Sequence, residues 1–447
     1  MHREGGGAVV RQGHHIAVVV SFLLAVVVAG CGSGLGNIDE RDGERGTAAT
    51  NEETTAPKGG RSAAETVQEP VGLEVKVVSP GKRYVLAGFG EGSLWATDLG
   101  TCNDTGSSAT SSSAGSASAM AGTCALPANM LLKRLDPRTG EEVAEIPLKG
   151  FSANVTEVTF GAGSVWVSSG DIYSGPVSDL EPGGVVFRID PQTNRVVDEI
   201  GVKDTPTGLT FGHGSVWVTS APYGIVSRID PDTDEVVARI EVGRGAVDIA
   251  TDESSGAVWV AGLYLPKDYS GRDNPEYSED RNLTRVDPTT NRVVAEIPIE
   301  ANSPDGGAQS VAVGEGSVWV QSADGKLFKV DPATNKVTAT VPLGDSSSHL
   351  AVYGGAVWAT FRVGFKQAGC EGTSEASASV ATFQPSCTES EWRAIDQVHL
   401  ARVDPRTEQV VATEGIGPAE KVGYGWLAAG RGYVWFASGG GLARVAP

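Results

Sequence analysis

Short apolar segments that alternate with polar residues recur along residues 72–447, and almost no stretch has the apolar spacing of a helix. Seven of these segments resemble GSVWVTS, in which a tryptophan stands between small or β-branched apolar residues. Such alternation predicts a half-buried β-strand. The glycines before each segment predict a tight turn that needs positive φ, so each segment should be the second strand of a hairpin. The tryptophans are Trp95, Trp166, Trp217, Trp259, Trp319, Trp358 and Trp435.

A second repeated segment lies between the first ones and reads, for example, VFRIDPQTNRVVDEI at residues 186–200. Its two halves predict a third and a fourth strand. The Asp-Pro-x-Thr-Asn between them predicts a turn, because Pro fixes φ and Asn or Gly tolerates the left-handed region. The copies span residues 132–146, 186–200, 226–240, 283–297, 327–341 and 400–414, with a shortened copy at 442–447. We expect the basic residue of each copy to pair with turn carboxylates: Arg134, Arg188, Arg228, Arg285, Lys329, Arg402 and Arg444.

Four antiparallel strands in each of seven repeats predict an all-β fold, a seven-bladed β-propeller that forms one domain over residues 71–447. The last repeat lacks a fourth strand, whereas residues 72–80 (GLEVKVVSP) read as a fourth strand without a repeat of its own. We therefore expect this N-terminal strand to complete the C-terminal blade. Such closure leaves no sheet edge open at the junction of the ring.

The repeats resemble those of the YVTN-type propellers, whose units carry DPxTNxVVxxIPVG followed by a G-x-x-YVTN strand. Here Trp replaces the Tyr, as in WVTS at residues 217–220 and WVSS at 166–169. The G-x-x-W pattern also resembles that of virginiamycin-B-lyase-like propellers. The resemblance covers residues 72–447 and implies the fold more than any activity. In those lyases a His and Glu set with magnesium performs an elimination at the channel mouth. His349 has a matching kind of position, and the rest of that His/Glu cluster has no counterpart here.

The N-terminus indicates export. Residues 16–28 form an apolar run that suits a signal peptide and is shorter than a membrane span, and it ends in Val-Ala-Gly before Cys31. This boundary resembles a bacterial lipobox, so residues 1–30 are predicted to be a lipoprotein signal peptide and Cys31 the lipidated residue. An ordinary secretory signal with a chance cysteine is the alternative. Residues 31–70 contain few large apolar residues and are predicted to be a disordered tether. We expect an extracytoplasmic protein held on the bacterial cell membrane by its lipid.

Charge and cysteine content agree with export. The formal net charge is −20, and cleavage before Cys31 removes two Arg and one Glu, which takes it to −21. Nucleic-acid binding is therefore not expected, because phosphate recognition relies on Lys and Arg. Four further cysteines form two local pairs, for which we predict the disulfides Cys102–Cys124 and Cys370–Cys387. A zinc site is the alternative, although no CxxC spacing is present.

Four insertions enlarge the repeats, at residues 99–130, 170–184, 263–282 and 362–397. Each lies between a predicted second and third strand, so all four should leave the same face of the ring. We expect this face to bind a partner, namely an envelope protein, a peptide or a cell-wall glycan. Tolerated loop growth is the alternative. Candidate contact residues are Tyr264, Tyr269, Tyr277, Trp392 and Trp426, since aromatic side chains with a polar tip suit recognition.

Alignment of the repeats places one residue per blade where the innermost strand begins at the channel: Leu86, Glu157, Gly208, Asp248, Ser310, His349 and Trp426. Glu157, Asp248 and His349 could bind a divalent metal, Mg²⁺ or Ca²⁺, or act as acid and base. Water and incidental polar residues are the alternative content of such a channel. The sequence favours a monomeric binding or scaffolding propeller, with a metal-assisted lyase or hydrolase at the channel mouth as the alternative.

Overall fold

A computed structural model shows seven four-stranded antiparallel sheets. The structure describes residues 72–80, 84–98, 130–148, 155–170, 184–202, 205–263, 282–300, 307–363, 397–418, 426–438 and 441–447. Among these residues, no helix is both long and apolar enough to cross a membrane.

The first three blades consist of consecutive strands paired in chain order. The first contains β2 (Tyr84–Gly90), β3 (Ser93–Asp98), β4 (Met130–Leu135) and β5 (Glu142–Leu148). The second contains β6 (Val155–Gly161), β7 (Ser164–Gly170), β8 (Gly184–Asp190) and β9 (Arg195–Val202). The third contains β10 (Leu209–Gly212), β11 (Ser215–Ser220), β12 (Ile225–Asp230) and β13 (Glu235–Glu241).

The next three blades repeat the same arrangement. The fourth contains β14 (Ala246–Asp252), β15 (Ala257–Gly262), β16 (Asn282–Asp287) and β17 (Arg292–Pro298). The fifth contains β18 (Ala308–Gly314), β19 (Ser317–Ser322), β20 (Lys326–Asp331) and β21 (Lys336–Pro342). The sixth contains β22 (Ser346–Tyr353), β23 (Ala356–Val363), β24 (Gln397–Asp404) and β25 (Gln409–Pro418).

The seventh blade joins the two ends of the described chain. It contains β26 (Leu427–Gly430), β27 (Tyr433–Ser438) and β28 (Gly441–Val445), and its outer strand is β1 (Val75–Pro80). Val75 pairs with Val445 and Pro80 with Gly441 in an antiparallel ladder. The innermost strand of each blade contacts that of the next, and β26 contacts β2. The predicted seven-bladed propeller and its closure by the N-terminal strand are both confirmed.

The glycine-containing turns join the first and second strands of the blades. At five of them a non-glycine residue and the following glycine both have positive φ, as at Ala162 (50°) and Gly163 (68°). Two consecutive positive φ values define the type I′ turn, whose twist matches that of the flanking strands. The Asp-Pro turns hold their last residue in the same region, for example Asn194 at 55°. The local sequence therefore determines both hairpin connections of a blade.

The seven repeated tryptophans are fully buried and form the centre of the packing between blades. Each has the basic residue of the third strand over its ring, for example Arg188 at 5.1 Å from the Trp166 centroid. The guanidinium of Arg188 also donates to the Pro231 carbonyl at 2.8 Å and to Asp234 at 2.9 Å, both in the next blade. Cation–π contacts of this kind contribute about 0.5–2 kcal/mol each.

The expected pairing of the basic residues with turn carboxylates was only partly right. Arg134, Arg228 and Arg285 donate to a proline carbonyl and an asparagine side-chain oxygen of the next turn. Within the described part of the chain, carboxylates accept from Arg188 and Lys329 only. The Asn accepts because its left-handed backbone directs its side chain toward the preceding blade. These contacts join neighbouring blades through their turns.

Candidate binding site at the channel mouth

The polar positions predicted at the channel are structurally equivalent. In four blades this position pairs with the residue two positions after the tryptophan, as Glu157 pairs with Ser168 and Ser310 with Gln321. In the same four blades the ladder shifts register immediately before this position, which is a β-bulge near the start of the innermost strand. In the sixth blade His349 lies within such a shift. Bulges re-aim side chains beside functional sites. The strand pairing of these four blades agrees with the repeat alignment made from the sequence.

Five of the seven positions contribute to one cavity of about 250 Å³ on the ring axis. They are Glu157, Asp248, Ser310, His349 and Trp426. The third blade contributes Leu209 and Thr210, next to Gly208, which has no side chain. The side chain of Leu86 lies outside the described residues. We call this space the channel cavity.

Glu157 is an acid in a poorly solvated position of the channel cavity. Its carboxylate accepts a hydrogen bond from the Leu209 backbone N–H of the next blade at 3.1 Å. Burial raises the pKa of Glu157 well above its usual value of 4.5, and the charge of Asp248 raises it further. The hydrogen bond from Leu209 opposes this rise only in part. Glu157 can therefore keep a proton at a pH where exposed carboxyls are ionised.

Asp248 joins the fourth blade to the fifth. Its carboxylate accepts hydrogen bonds from Ser310 Oγ and from the Val311 and Ile249 backbone N–H groups, at 2.8, 2.8 and 2.7 Å. Burial raises its pKa, while these three donors favour the ionised form and limit the rise. Of the two neighbouring acids, Asp248 is thus better suited to carry the negative charge, and Glu157 the proton.

His349 and Trp426 form a stacked pair in the channel cavity. Their ring centroids lie 3.9 Å apart and the ring planes are 23° from parallel. The His349 backbone N–H donates to Thr360 Oγ1 at 3.1 Å. Its Nε2 is buried and has no hydrogen-bond partner among the residues that the structure describes. Burial lowers the pKa of His349 to about 3, so the imidazole is neutral at neutral pH.

The described residues of the channel cavity give no direct support for a divalent metal. Among the described residues, no three His, Cys, Asp or Glu side chains form a group that could hold a metal ion. Mg²⁺ and Ca²⁺ prefer ionised oxygen ligands, whereas the pKa values of both Glu157 and Asp248 are raised. The metal hypothesis for Glu157, Asp248 and His349 therefore gains no support, and their acid–base use stays a prediction.

The long connections leave the ring at the end where the innermost strands begin. They follow β3, β7, β15 and β23, each of which is a second strand, and precede the third strand of the same blade. In an antiparallel blade this connection is on the same side as the entry to the innermost strand, where Glu157 and Asp248 lie. We call this side the loop face and the opposite side the turn face. Most of the predicted contact residues, and all of the predicted lipidation and disulfide cysteines, lie outside the described part of the chain: Tyr264, Tyr269, Tyr277, Trp392, Cys31, Cys102, Cys124, Cys370 and Cys387.

A second layer of polar residues supports the cavity and was not predicted. It lies two positions after the tryptophans and is fully buried: Thr97, Ser168, Thr219, Gln321 and Thr360. Thr219 Oγ1 accepts the Gly208 backbone N–H at 2.7 Å, and Gln321 Nε2 donates to the Thr360 carbonyl at 2.8 Å. The signal was visible in the sequence, because a polar residue in a buried strand recurs at the same offset from Trp.

Comparison with known proteins identifies the fold class and no family. Neither a scan against protein families nor a search of curated proteins finds a match. A solved streptogramin B lyase is similar with a TM-score of 0.51 at 12% identity, covering 83% of this chain and 97% of the lyase chain. A Kuenenia stuttgartiensis hydrazine synthase gives a TM-score of 0.44 at 14% identity, covering 63% and 73%. The first similarity supports the propeller fold alone, and the second carries no argument.

Proposed function

We propose that this seven-bladed propeller is an extracytoplasmic binding or scaffolding protein that engages a protein, peptide or cell-wall glycan through its loop face. The observation that carries the proposal is the coincidence of four long connections and the polar channel cavity on one side of the ring. Loops on a rigid scaffold are the usual place for recognition. Here the scaffold also supplies a cavity at their centre.

The chemistry of the channel cavity favours an uncharged polar ligand group. Glu157 with a raised pKa can donate a hydrogen bond, and neutral His349 has an unpartnered Nε2. Trp426 adds an aromatic surface beside them. Hydroxyl or amide groups, as found in glycans and peptides, match such partners.

The experiment is titration of the protein with cell-wall glycan fragments, followed by tryptophan fluorescence. We expect a change that Trp426→Phe reduces and that replacement of residues 264–281 by a short turn abolishes, with unchanged melting of both variants. Binding that persists in the loop replacement contradicts the role of the loop face.

We further propose that the chain is anchored to the cell membrane through lipid on Cys31, as the lipobox-like sequence before it suggests. Two or more acyl chains hold a protein stably on a bilayer. Cys31→Ala should move the protein from the membrane fraction to the soluble fraction of cells. Membrane retention of this variant at the native level contradicts the anchor.

A lyase or hydrolase acting at the channel mouth is a second candidate, favoured by one observation. Glu157 has a raised pKa and lies in the same cavity as Asp248, whose three donors favour the ionised form, as a general acid and a general base require. Glu157→Gln and Asp248→Asn should then each abolish turnover of a substrate that the protein still binds. Full turnover in the double variant excludes this role.

A further inference from the structure

The sixth blade contains an arginine whose usual acceptors are missing. Arg402 lies over the ring of Trp358 at 5.8 Å, as its counterparts do over theirs. Five of those counterparts donate to two acceptors in the next blade, a proline carbonyl and a side-chain oxygen three residues later. Within the described part of the chain, Arg402 has no hydrogen bond, and its Nε is buried without a partner.

The topology of the seventh blade explains the missing acceptors. In the second blade Ile189 pairs with Val196, and the acceptor Asn194 lies two positions before Val196. In the seventh blade Val445 pairs with Val75, so the corresponding position is Leu73, which packs in the apolar cluster between the sixth and seventh blades. β28 and β1 are not joined by an Asp-Pro turn, because they come from opposite ends of the described chain.

The proline acceptor is also not used. Pro447 follows Arg444 by three residues, as the turn proline follows the basic residue in the other blades. Pro447 packs against Gly354, where an added Cβ would lie 2.5 Å from Pro447 Cβ. No hydrogen bond joins Arg402 to Pro447 among the described residues. Among the described residues, neither kind of acceptor that the other blades use is therefore bonded to Arg402.

A cavity of about 450 Å³ lies at this place on the turn face, and we call it the Arg402 cavity. Its charged residues are Arg402, Arg406 and Asp404, and small residues of the turn Gly354–Gly355 leave it open. The Asp404 carboxylate accepts the Arg406 backbone N–H at 2.8 Å. With two guanidinium groups and one carboxylate, the cavity carries one net positive charge.

We propose that the Arg402 cavity binds a carboxylate on a peptide turn of the form Pro-x-x-Asp or Pro-x-x-Glu. The occupied copies define this preference, since Arg188 binds Pro231 with Asp234, and Lys329 binds Pro405 with Glu408. A planar carboxylate matches the fork of a guanidinium. One net positive charge suits a carboxylate better than a doubly charged phosphate.

The site is independent of the loop face and of the channel cavity. Gly354–Gly355 and the turn that follows Asp404 both connect strands at the turn face. A ligand of the Arg402 cavity and a ligand of the loop face can therefore bind at the same time, and failure of either proposal leaves the other intact.

The test is calorimetric titration of the protein with a synthetic peptide that copies residues 229–236, IDPDTDEV, at low ionic strength. We expect binding that weakens about tenfold in Arg402→Gln, because a hydrogen bond to a charged group is lost. Arg402→Lys, which keeps the charge without the fork, should show an intermediate loss. A second peptide has Ala at the position of Asp234. It should bind the native protein as weakly as the unchanged peptide binds Arg402→Gln.

Two controls separate this site from general charge attraction. Arg138 is exposed at the same turn position in the first blade as Arg406 in the sixth, so Arg138→Gln should leave binding unchanged and Arg406→Gln should weaken it. Acetate should compete with the peptide more strongly than chloride at equal ionic strength, which separates recognition of a carboxylate from general attraction of anions. Absence of binding to the native protein, equal binding to Arg402→Gln, or equal competition by the two salts overturns the proposal.

Discussion

The guanidinium of Arg228 lies 4.9 Å from the ring centroid of Trp217 and faces a fully buried indole. The same group donates to the Pro288 carbonyl at 2.6 Å and to Asn291 Oδ1 at 3.0 Å in the fourth blade. One side chain thus connects the core of its own blade to the turn of the next. This unit is repeated around the ring, so the closed propeller depends on contacts between blades as much as on each sheet.

Arg228→Met should lower the free energy of unfolding by about 2–3 kcal/mol. The methionine still covers Trp217, but the cation–π contact of about 0.5–2 kcal/mol is lost. The buried Pro288 carbonyl also loses its donor, which costs about 1–3 kcal/mol. Urea unfolding followed by tryptophan fluorescence measures the difference.

Arg402→Met is the matched control, because Arg402 has the same place over Trp358 without turn acceptors. We expect it to cost less than about 1 kcal/mol, the lower end of the cation–π contribution. Equal losses in the two variants contradict the role of the turn contacts and assign the effect to the indole contact alone.

Deletion of residues 72–80 should destabilise the seventh blade and cause association. The β1–β28 ladder pairs five residues of each strand, which is roughly 5 kcal/mol at about 1 kcal/mol for each hydrogen bond. Its loss also exposes the edge of β28, and exposed edges recruit other strands. Thermal melting and light scattering measure the two effects.

A peptide of residues 72–80 should restore the melting temperature of this deletion variant when it is added separately. Neighbouring strand residues direct their N–H groups to opposite sides, so a peptide with Pro at both Lys76 and Val77 lacks a ladder donor. That peptide should not restore stability. Equal rescue by the two peptides would mean that residues 72–80 act through something other than the ladder.

The fold could be predicted because the information is local and repeated. One repeat specifies a type I′ turn, a buried tryptophan strand and an Asp-Pro turn, and seven copies allow only a ring or an open array. The last repeat lacks a fourth strand, and residues 72–80 supply one, which favours a closed ring over an open array. Contacts such as Arg228–Pro288 could not be predicted as easily, since they join residues about a blade apart and depend on the left-handed conformation of Asn291.

The candidate site could be located from the sequence, but its protonation could not. Alignment of repeats brought Glu157, Asp248 and His349 to one level of the channel, and the structure places them in one cavity. Whether such residues carry charge depends on burial and on neighbours from other blades. The donors to Asp248 come from residues 310 and 311, far along the chain. The metal hypothesis was based on residue types alone and stays a prediction.

Glu157→Gln should make the folded state more stable at neutral pH. The folded-state pKa of Glu157 is raised above 4.5, so its favourable contribution is complete below that pH and is lost as the pH rises through the raised pKa. The variant avoids this loss, while its side-chain oxygen can still accept the Leu209 N–H. In urea unfolding, the advantage of the variant should grow from near zero at pH 4 by up to about 1.4 kcal/mol for each pH unit.

Glu235→Gln is the control for Glu157→Gln, because Glu235 is exposed at the start of β13 and the substitution is identical. It should leave the pH profile of the native protein unchanged. If Glu157→Gln also has the same pH dependence of unfolding free energy as the native protein, Glu157 ionises as an ordinary solvated carboxyl.

His349→Phe should remove a pH dependence of opposite direction. Burial lowers the folded-state pKa of His349 from 6.5 to about 3, so its contribution to stability is present above pH 6.5 and is lost as the pH falls toward 3. The phenyl ring keeps the stacking surface for Trp426, without a group that protonates. The stability of the variant relative to the native protein should therefore increase by up to about 1.4 kcal/mol for each pH unit below 6.5.

The neighbouring titratable groups of the channel cavity are Glu157 and Asp248, so the His349→Phe profile is best measured in the Glu157→Gln background as well. The same low-pH gain in both backgrounds assigns it to the imidazole. Imidazole resonances of His349 should also stay unchanged in NMR spectra between pH 5 and 8. A titration of these resonances near pH 6.5 would mean that water solvates the ring, and the channel mouth would then offer a charged rather than a neutral partner to its ligand.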